Sequence, residues 1–313
     1  MVKAIKRSYF IDILKPARYN NDISAKEIFM KKMRVSTRFI HSFPMDDYSE
    51  YIRRGLEFNK NAGFDAIDIY MGFKFLEKAQ ESTIETALSD AEKIGIKFEI
   101  AHLPFSSRVC KEPDFLPLFN ERMHEAIDYA KLFGVEYAVF HPNTTTLAMS
   151  KYDRREEFNS VIAHLSPFVE HAERVGVKVV IENMRQVPLF IPTHRYCQMP
   201  DELCEVADAL GIGVCWDFGH AHISGIKQSE GLAYVGKRLK VLHINDNYAT
   251  DDEHIPPFMG TIDWRDAMHG LALAEFDGLL NFELHHEKIP DTAREAYAKY
   301  IIDSARVLES YIE

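Results

Sequence analysis

Residues 241–264 read VLHINDNYATDDEHIPPFMGTIDW, and this stretch decides the fold. It begins as a short apolar strand that ends on His243, continues as a polar loop, and opens a helix at Trp264. The loop carries four residues with ligand-type side chains, which are Asp246, Asp251, Asp252 and His254. In parallel α/β proteins, strands that release polar residues at their carboxyl ends build the functional site. The stretch therefore predicts one strand–loop–helix unit of such a protein.

The same strand-then-helix unit recurs eight times along the chain. Strands are predicted at residues 33–39, 66–70, 96–102, 137–141, 178–182, 213–217, 239–243 and 278–283. Helices are predicted at residues 47–61, 82–94, 116–133, 154–175, 200–210, 230–237, 263–273 and 291–311. A glycine follows five of these helices, as a left-handed helix stop requires: Gly63, Gly95, Gly134, Gly176 and Gly211. Alternating units of this kind give a parallel sheet with the helices outside.

Eight units predict a closed (β/α)8 TIM barrel, for which about 250 residues suffice. The competing α/β fold is an open doubly wound sheet, which usually carries a glycine-rich phosphate loop after its first strand. Residues 40–48 read IHSFPMDDY and hold no such loop, so the barrel is favoured. The predicted domains are an N-terminal extension, residues 1–32, and the barrel, residues 33–313. The extension, with a candidate strand at 8–14 and a candidate helix at 24–32, could cover the barrel bottom or bind another subunit.

Composition limits the classes of partner. Of the 313 residues, 46% are hydrophobic and 27% charged, which supports a large core rather than disorder. The net charge of −11 argues against a nucleic-acid partner, because phosphate binding is driven by Lys and Arg. Four cysteines without a CxxC pair fit a reduced, cytoplasmic protein, and no apolar run approaches the ~18 residues of a membrane span. Asp12 interrupts the apolar run near the N-terminus, so no signal peptide is predicted.

Six predicted strands end on a residue type that binds metals or moves protons. They are His102, His141, Glu182, Asp217, His243 and Glu283. Any one of them alone fits a hydrogen-bonded loop anchor or a helix N-cap. All six at equivalent strand ends of one barrel would face a single pocket at its carboxyl mouth. Converging carboxylates repel one another unless a cation lies among them, so the pattern predicts a metal.

Four of these residues form the candidate metal site: Glu182, Asp217, His243 and Glu283. Three carboxylates and one imidazole suit Mn²⁺, Co²⁺, Mg²⁺ or Zn²⁺, and the set lacks the thiolates of a structural zinc site. We expect one divalent metal ion there and take Mn²⁺ as that ion, with the other three as alternatives.

Seven motifs carry a resemblance to a known superfamily. They are HLP at 102–104, FHPN at 140–143, IEN at 181–183, WDFGH at 216–220, HINDN at 243–247, DEHIPPFMGTIDW at 252–264 and FELHH at 282–286. With them the chain resembles the xylose isomerase-like TIM barrel superfamily over about residues 33–310. That superfamily includes sugar phosphate isomerases and epimerases, the inosose enzymes, the catalytic subunits of C-glycoside deglycosidases, and endonuclease IV.

The resemblance implies roles for individual residues. In the superfamily's epimerases, the residues that match the four candidate ligands hold one divalent ion, and those matching Glu182 and Glu283 also move protons. His141 is a further candidate catalytic acid or base. The candidate substrate-binding residues are His102, His220, Arg185 and His254. Bulky residues after the fifth strand are expected to form a specificity wall: Arg185, Phe190, His194, Arg195 and Tyr196.

Two positions depart from the ketose 3-epimerases, which carry an Arg where this chain has Ala249 and a second Glu where it has Pro188. A member of that subgroup is therefore not expected. The resemblance implies a metal-dependent sugar isomerase or epimerase that removes the proton α to the carbonyl of a keto-sugar or sugar derivative. A lyase of the same fold, such as an inosose dehydratase or a C-glycoside deglycosidase with its small partner subunit, is the first alternative.

The second alternative is a zinc phosphodiesterase like endonuclease IV, which uses a three-zinc cluster. Every ligand type that such a cluster needs is present: His102, His141, Glu182, Asp217, His220, His243, Asp252, His254 and Glu283. The net charge and the lack of a Lys-rich recognition loop favour a small sugar or glycoside substrate, with no nucleic-acid and no membrane partner. We also expect the protein to form an oligomer.

Overall fold

Parallel strands surround the barrel interior in the computed structural model, which describes residues 32–40, 47–106, 108–185 and 192–312. The strands are β1 (Val35–Thr37), β2 (Ala66–Tyr70), β3 (Lys97–His102), β4 (Tyr137–Phe140), β5 (Thr146–Ala148), β6 (Lys178–Glu182), β7 (Thr193–Arg195), β8 (Gly213–Asp217), β9 (Leu239–His243) and β10 (Leu280–Phe282). All but β5 and β7 belong to one eight-stranded parallel sheet, and β10 returns to pair with β1.

The barrel closes between β9 and β10. There Ile244 bridges Phe282 in parallel, its N–H donates to the carbonyl of Asn281 over 2.8 Å, and its carbonyl accepts from the N–H of Glu283 over 3.1 Å. The ring of strands is therefore complete. The predicted (β/α)8 TIM barrel is confirmed, and the open doubly wound alternative is wrong.

Ten α-helices lie within the described part of the chain. They are α1 (Tyr48–Ala62), α2 (Phe73–Leu76), α3 (Glu81–Ile94), α4 (Leu116–Phe133), α5 (Arg154–Val175), α6 (Pro200–Leu210), α7 (Phe218–Ile223), α8 (Gln228–Val235), α9 (Trp264–Leu273) and α10 (Arg294–Glu309). All five predicted glycine stops have left-handed φ angles and donate their N–H back to helix carbonyls. None of the described helices has both the length and the apolar character that a membrane crossing needs.

Several elements differ from the sequence prediction. The first strand spans three residues, 35–37, rather than 33–39, and the last spans 280–282 rather than 278–283. The antiparallel pair β5–β7, which joins the loops after β4 and β6, was not predicted, because three-residue strands carry too little periodicity. The predicted strand at 8–14 and residues 24–31 of the predicted helix lie outside the described residues.

A layer of side chains fills the barrel interior below its mouth. One half of the layer is an apolar cluster: Ile100, Val139, Val180, Cys215 and Val241. The other half is polar, because the Ser36 hydroxyl donates to Asn281 over 2.8 Å and the Asn281 amide donates to Asp68 over 3.0 Å. As in other TIM barrels, the interior is a packed core rather than a pore. This layer, called the floor layer below, lies directly beneath the residues of the mouth and supports them.

Candidate metal and substrate site

Each barrel strand places a side chain at the mouth, two residues beyond its member of the floor layer. These side chains are Arg38, Tyr70, His102, His141, Glu182, Asp217, His243 and Glu283. The fold thus brings together all six predicted strand-end residues. Sequence reasoning missed Arg38, because the predicted first strand ran on to Phe39, and Tyr70, because tyrosine is an uncommon ligand. The two-residue spacing from Ser36 and Asp68 would have identified both.

The mouth opens into a cavity of about 680 Å³, a size typical of small-molecule sites. The predicted substrate-binding residues His102, Arg185, His220 and His254 all line this cavity, as does the candidate base His141. Asp217 and His243 are fully buried beneath it. Every predicted site residue therefore lines this cavity or lies directly beneath its wall.

The four candidate metal ligands converge. Glu182, Asp217, His243 and Glu283 each offer a ligand atom, and these atoms all lie within 4.8 Å of one another. Nδ1 of His243 lies 3.0 Å from Oε2 of Glu283 and 3.2 Å from Oε2 of Glu182. Both contacts fall within ion-pairing distance, but neither has the geometry of a hydrogen bond. Imidazole and carboxylate lone pairs thus point toward a common centre.

The donor set fits a divalent cation. Both carboxylate oxygens of Glu182 and both ring nitrogens of His243 are buried, with no hydrogen-bond partner among the described residues. Buried polar groups left unpaired cost roughly 1–3 kcal/mol each, and more when charged. A cation bound among them would satisfy the Glu182 oxygens and one ring nitrogen of His243 at once. The residues present therefore match the predicted metal site in ligand type, burial and convergence.

Asp217 is held in place by its neighbours. Its Oδ1 accepts the N–H of His220 over 2.6 Å, which caps the start of α7, and its Oδ2 accepts the side-chain amide of Asn245 over 2.7 Å. The side-chain amide of Asn183 makes two hydrogen bonds to the Asp217 backbone: its Oδ1 accepts the N–H over 2.6 Å, and its Nδ2 donates to the carbonyl over 2.9 Å. These bonds fix the carboxylate's orientation and leave each oxygen a second lone pair for a ligand.

Three histidines of the cavity have one ring nitrogen tied to a backbone carbonyl. Nδ1 of His102, His220 and His254 lies 3.0, 2.8 and 2.9 Å from the carbonyls of Leu103, Asn183 and Glu283, respectively. A carbonyl only accepts, so each Nδ1 carries a hydrogen and donates it. Each Nε2 is thereby turned toward the carboxylates of the cavity. This anchoring is typical of metal-binding and catalytic histidines.

The two glutamates differ in electrostatic environment. Burial raises the pKa of Glu182 above its ordinary value, and the nearby His243 only partly offsets this. Burial acts on Glu283 in the same direction, but Arg38, His243 and His254 together hold its pKa well below the ordinary value. Arg38 makes a direct ion pair with Oε1 of Glu283. Glu283 is therefore the more firmly ionised of the two.

The histidines of the cavity also differ in the direction in which their pKa values are shifted. Burial, together with the positive charge of Arg38, lowers the pKa of His102 to about 3, and burial beside His102 holds the pKa of His141 well below its ordinary value. Burial also disfavours the protonated form of His220, but the nearby Asp217 and Asp252 outweigh this effect and raise its pKa to about 10. His102 and His141 are thus neutral imidazoles, able to coordinate a cation or accept a proton.

Two further groups of ligand-type residues flank the central four. One is His102, His141 and Glu182; the other is His220, Asp252 and His254. In the second group, Nε2 of His254 lies 3.2 Å from Oδ1 of Asp252, and Nε2 of His220 lies 3.4 Å from its Oδ2. Arg185 also reaches Asp252, with its Nε 2.9 Å from Oδ2. All nine residues of the three-zinc alternative therefore lie close together, but Arg185 already neutralises the charge of Asp252.

The expected specificity wall is only partly formed. Arg185 and Arg195 line the cavity. His194 instead contacts Glu202 over 2.7 Å, and Tyr196 is fully buried, so neither belongs to the cavity wall. The prediction was wrong for these two because strand alternation turns their side chains into the packing beneath β7. Phe190 and Pro188 lie outside the described residues.

Asp246, part of the stretch that decides the fold, organises its loop rather than facing the cavity. Its carboxylate accepts the backbone N–H groups of Phe258 and Ile262, each over 3.1 Å, and the indole N–H of Trp264 over 2.9 Å. Its Oδ1 also accepts the N–H of Asn247 over 2.9 Å. Asp246 thereby fixes the path of the loop that carries Asp252 and His254.

Comparisons with known proteins agree with this fold. A family model described as xylose isomerase-like TIM barrel matches residues 56–311. An uncharacterised protein of Methanocaldococcus jannaschii, MJ1311, is 27% identical over 223 residues, which are 68% of this chain and 70% of that protein. Two solved structures share the fold: a D-tagatose 3-epimerase-like protein and the 3-keto-D-glucoside 4-epimerase of E. coli. The first has a TM-score of 0.69 at 21% identity, covering 90% of this chain and 100% of its own. The second has a TM-score of 0.67 at 16% identity, covering 88% and 100%.

Proposed function

The chain belongs to the xylose isomerase-like TIM barrel family, and from that premise we propose that it is a divalent-metal-dependent sugar isomerase or epimerase. Its substrate would be a keto-sugar or sugar derivative bound in the cavity at the barrel mouth. The observation that carries the proposal is the buried cluster of Glu182, Asp217, His243 and Glu283, whose lone pairs converge beneath that cavity. The epimerases among the structural neighbours have the same fold and lend the proposal further support.

The four clustered residues would hold one divalent ion, for which we propose Mn²⁺. A bound ion of this kind supplies a Lewis acid that polarises a carbonyl and stabilises the negative charge that develops on its oxygen. His220 and His254, anchored through Nδ1, would bind substrate hydroxyls through Nε2. Arg185 would stand beside them at the rim, fixed by Asp252.

The proton α to the carbonyl would be moved by the glutamates. Glu283, which Arg38 keeps ionised, is the proposed acceptor, and Glu182 is the proposed partner that returns a proton. His141, neutral and 3.3 Å from Oε2 of Glu182, is the alternative base. Return of the proton to the opposite face gives epimerisation, and return to the neighbouring carbon gives isomerisation. Loss of a group β to the carbanion would instead give elimination, the lyase alternative, with a small partner subunit as a further expectation.

The experiment is a metal analysis of the purified protein followed by a solvent-exchange assay. Metal-loaded protein is incubated in D₂O with a panel of keto-sugars and keto-glycosides, and deuterium uptake α to the carbonyl is read by NMR. We expect about one divalent ion per chain and metal-dependent uptake with at least one substrate. Uptake by no substrate, with a full complement of metal, would contradict the proposal.

One observation favours a second candidate, the zinc phosphodiesterase. The three adjacent ligand groups provide places for three cations, including His220, Asp252 and His254. Against it, Arg185 and Arg38 already pair with Asp252 and Glu283, and the net charge of −11 disfavours DNA. Three zinc ions per chain, together with cleavage of DNA at abasic sites, would establish this candidate. One ion and no cleavage would exclude it.

A further inference from the structure

Three arginines line the cavity, and they differ in how their charge is balanced. Arg38 is paired with Glu283, and Arg185 is paired with Asp252. Within the described ranges, no carboxylate lies within ion-pairing distance of the third, Arg195. Arg195 is nevertheless half-buried in the cavity wall. A buried cation is costly unless something of opposite charge accompanies it.

The guanidinium of Arg195 is held in one orientation. Its Nε donates to the carbonyl of Thr144 over 3.1 Å and lies 3.3 Å from that residue's hydroxyl. Its own backbone N–H donates to Gln198 over 3.0 Å. No described residue hydrogen-bonds to the two terminal nitrogens, which can form the planar fork that matches the oxygens of a phosphate or carboxylate.

The strand that carries Arg195 is itself fixed. Arg195 pairs with Thr146 across the antiparallel sheet β5–β7. Glu202 fastens β7 and its following turn to α6, because its carboxylate contacts Nε2 of His194 over 2.7 Å and accepts the N–H of Cys197 over 3.1 Å. The fork is therefore preorganised, which lowers the entropy cost of binding an anion.

The surroundings of Arg195 have the composition of an oxyanion site. Lys111 and the hydroxyl-bearing Thr145 and Thr146 line the same cavity as Arg195. Burial and the positive charge of Arg185 lower the pKa of Arg195 to about 10, which records how poorly its charge is compensated. An anion placed against the fork would relieve both effects.

We propose that Arg195, with Lys111, Thr145 and Thr146, binds an oxyanion substituent of the substrate, a phosphate or a carboxylate. The substrate class is then a sugar phosphate or a sugar acid rather than a neutral keto-sugar. This inference rests on the proposed function only for the sugar part of the ligand. The oxyanion end is bound by residues other than the four candidate metal ligands.

The test measures anion binding without turnover. Chelator-treated protein is titrated calorimetrically with inorganic phosphate and, separately, with D-gluconate. The variants are Arg195→Gln, Arg195→Lys and the control Arg155→Gln, which removes an exposed arginine that stacks on Phe158 outside the cavity. We expect Arg195→Gln to weaken binding about tenfold or more, because hydrogen bonds to charged groups are the strong ones. Arg195→Lys should lose less, and the control should bind within about twofold of wild type.

The two probes distinguish the two sources of the oxyanion. Tighter binding of phosphate assigns a phosphorylated sugar, and tighter binding of gluconate assigns a sugar acid. Failure of wild type to bind either probe, or equal binding by wild type and Arg195→Gln, would overturn the proposal. Neither outcome bears on the metal or on proton exchange, so the proposed function is tested separately.

A second measurement needs no variant and covers the case in which Arg195→Gln does not fold. Phenylglyoxal modifies arginines that are not engaged in ion pairs, and peptide mapping identifies the modified positions. We expect phosphate or gluconate to slow the modification of Arg195 in the wild-type chain and to leave that of Arg155 unchanged. Equal rates at Arg195 with and without both anions would count against the proposal.

Discussion

The side-chain amide of Asn245 donates to Oδ2 of Asp217 over 2.7 Å, across two neighbouring strands of the barrel. Asn245 does not face the cavity, yet it sets the angle of a candidate metal ligand. We expect Asn245→Ala to weaken metal binding by roughly 10–100-fold, the usual cost of losing a partner of a ligand. Metal affinity by competition with a chelating dye measures this, with the exposed Asn61→Ala as control. Equal affinity in the two variants would contradict the positioning role.

Glu182→Gln and Glu283→Gln should lose proton exchange by a larger factor than they lose metal. The amide keeps an oxygen that coordinates weakly but accepts no proton, and general base catalysis is worth about 10²–10⁴-fold. The measurement is α-proton exchange in D₂O with metal-loaded variants. If both variants exchange at the wild-type rate and His141→Ala does not, His141 is the base and the glutamates are ligands only.

Removal of the metal should destabilise the protein. Without a cation, the buried carboxylates repel one another, and a ligand at 100–1,000 times its Kd stabilises a fold by about 2.7–4 kcal/mol. For a chain of this size, in which 1 kcal/mol shifts Tm by about 1.5–2 °C, we expect chelation to lower Tm by roughly 4–8 °C. Thermal melts with and without chelator measure the shift, and added Mn²⁺ should restore it. If metal analysis shows that the chelator has removed the ion and Tm is nevertheless unchanged, the result would argue against this site.

Gly219 lies where no side chain fits. A Cβ there would come 2.0 Å from Oδ1 of Asn245 and 2.7 Å from Nδ2 of Asn247, both buried. Gly219→Ala should therefore displace Asn245 and reduce metal affinity, although alanine is the better helix former in α7. Ser224→Ala, just beyond the same helix, is the control. Unchanged affinity in Gly219→Ala would show that the Asn245 contact is dispensable.

Asp246 should contribute strongly to stability, because it organises its loop. Replacement by Ala leaves the N–H groups of Phe258 and Ile262 and the indole of Trp264 without their acceptor. We expect Asp246→Ala to cost about 3 kcal/mol or more in the free energy of unfolding, since each unpaired buried donor costs about 1–3 kcal/mol. Denaturant titration measures this, and the exposed Asp251→Ala is the control. A loss no larger than that of the control would refute the role.

Much of the architecture could be predicted because the barrel repeats one local pattern. Helices α4, α5 and α6 have the predicted bounds, since a glycine stop and an apolar face fix them locally. The six strand-end residues could also be predicted from a local pattern, because each of them ends a short apolar strand. The pair β5–β7 and the inward side chain of His194 could not be placed, because three-residue strands carry too little periodicity and this pair depends on a contact between two loops about 50 residues apart.

The seam between β9 and β10 has a kinetic consequence. It is held at Ile244 by one bridge made of two backbone hydrogen bonds, whereas β2 and β3 pair over five positions. His243 and Glu283 stand on opposite sides of this seam, one residue before Ile244 and one after Phe282. Any transient parting of the two strands would pull these residues away from each other. Release of a bound ion and amide hydrogen exchange at Ile244 and Glu283 should then share one rate-limiting event, and an ion spanning the seam would act as a removable cross-link.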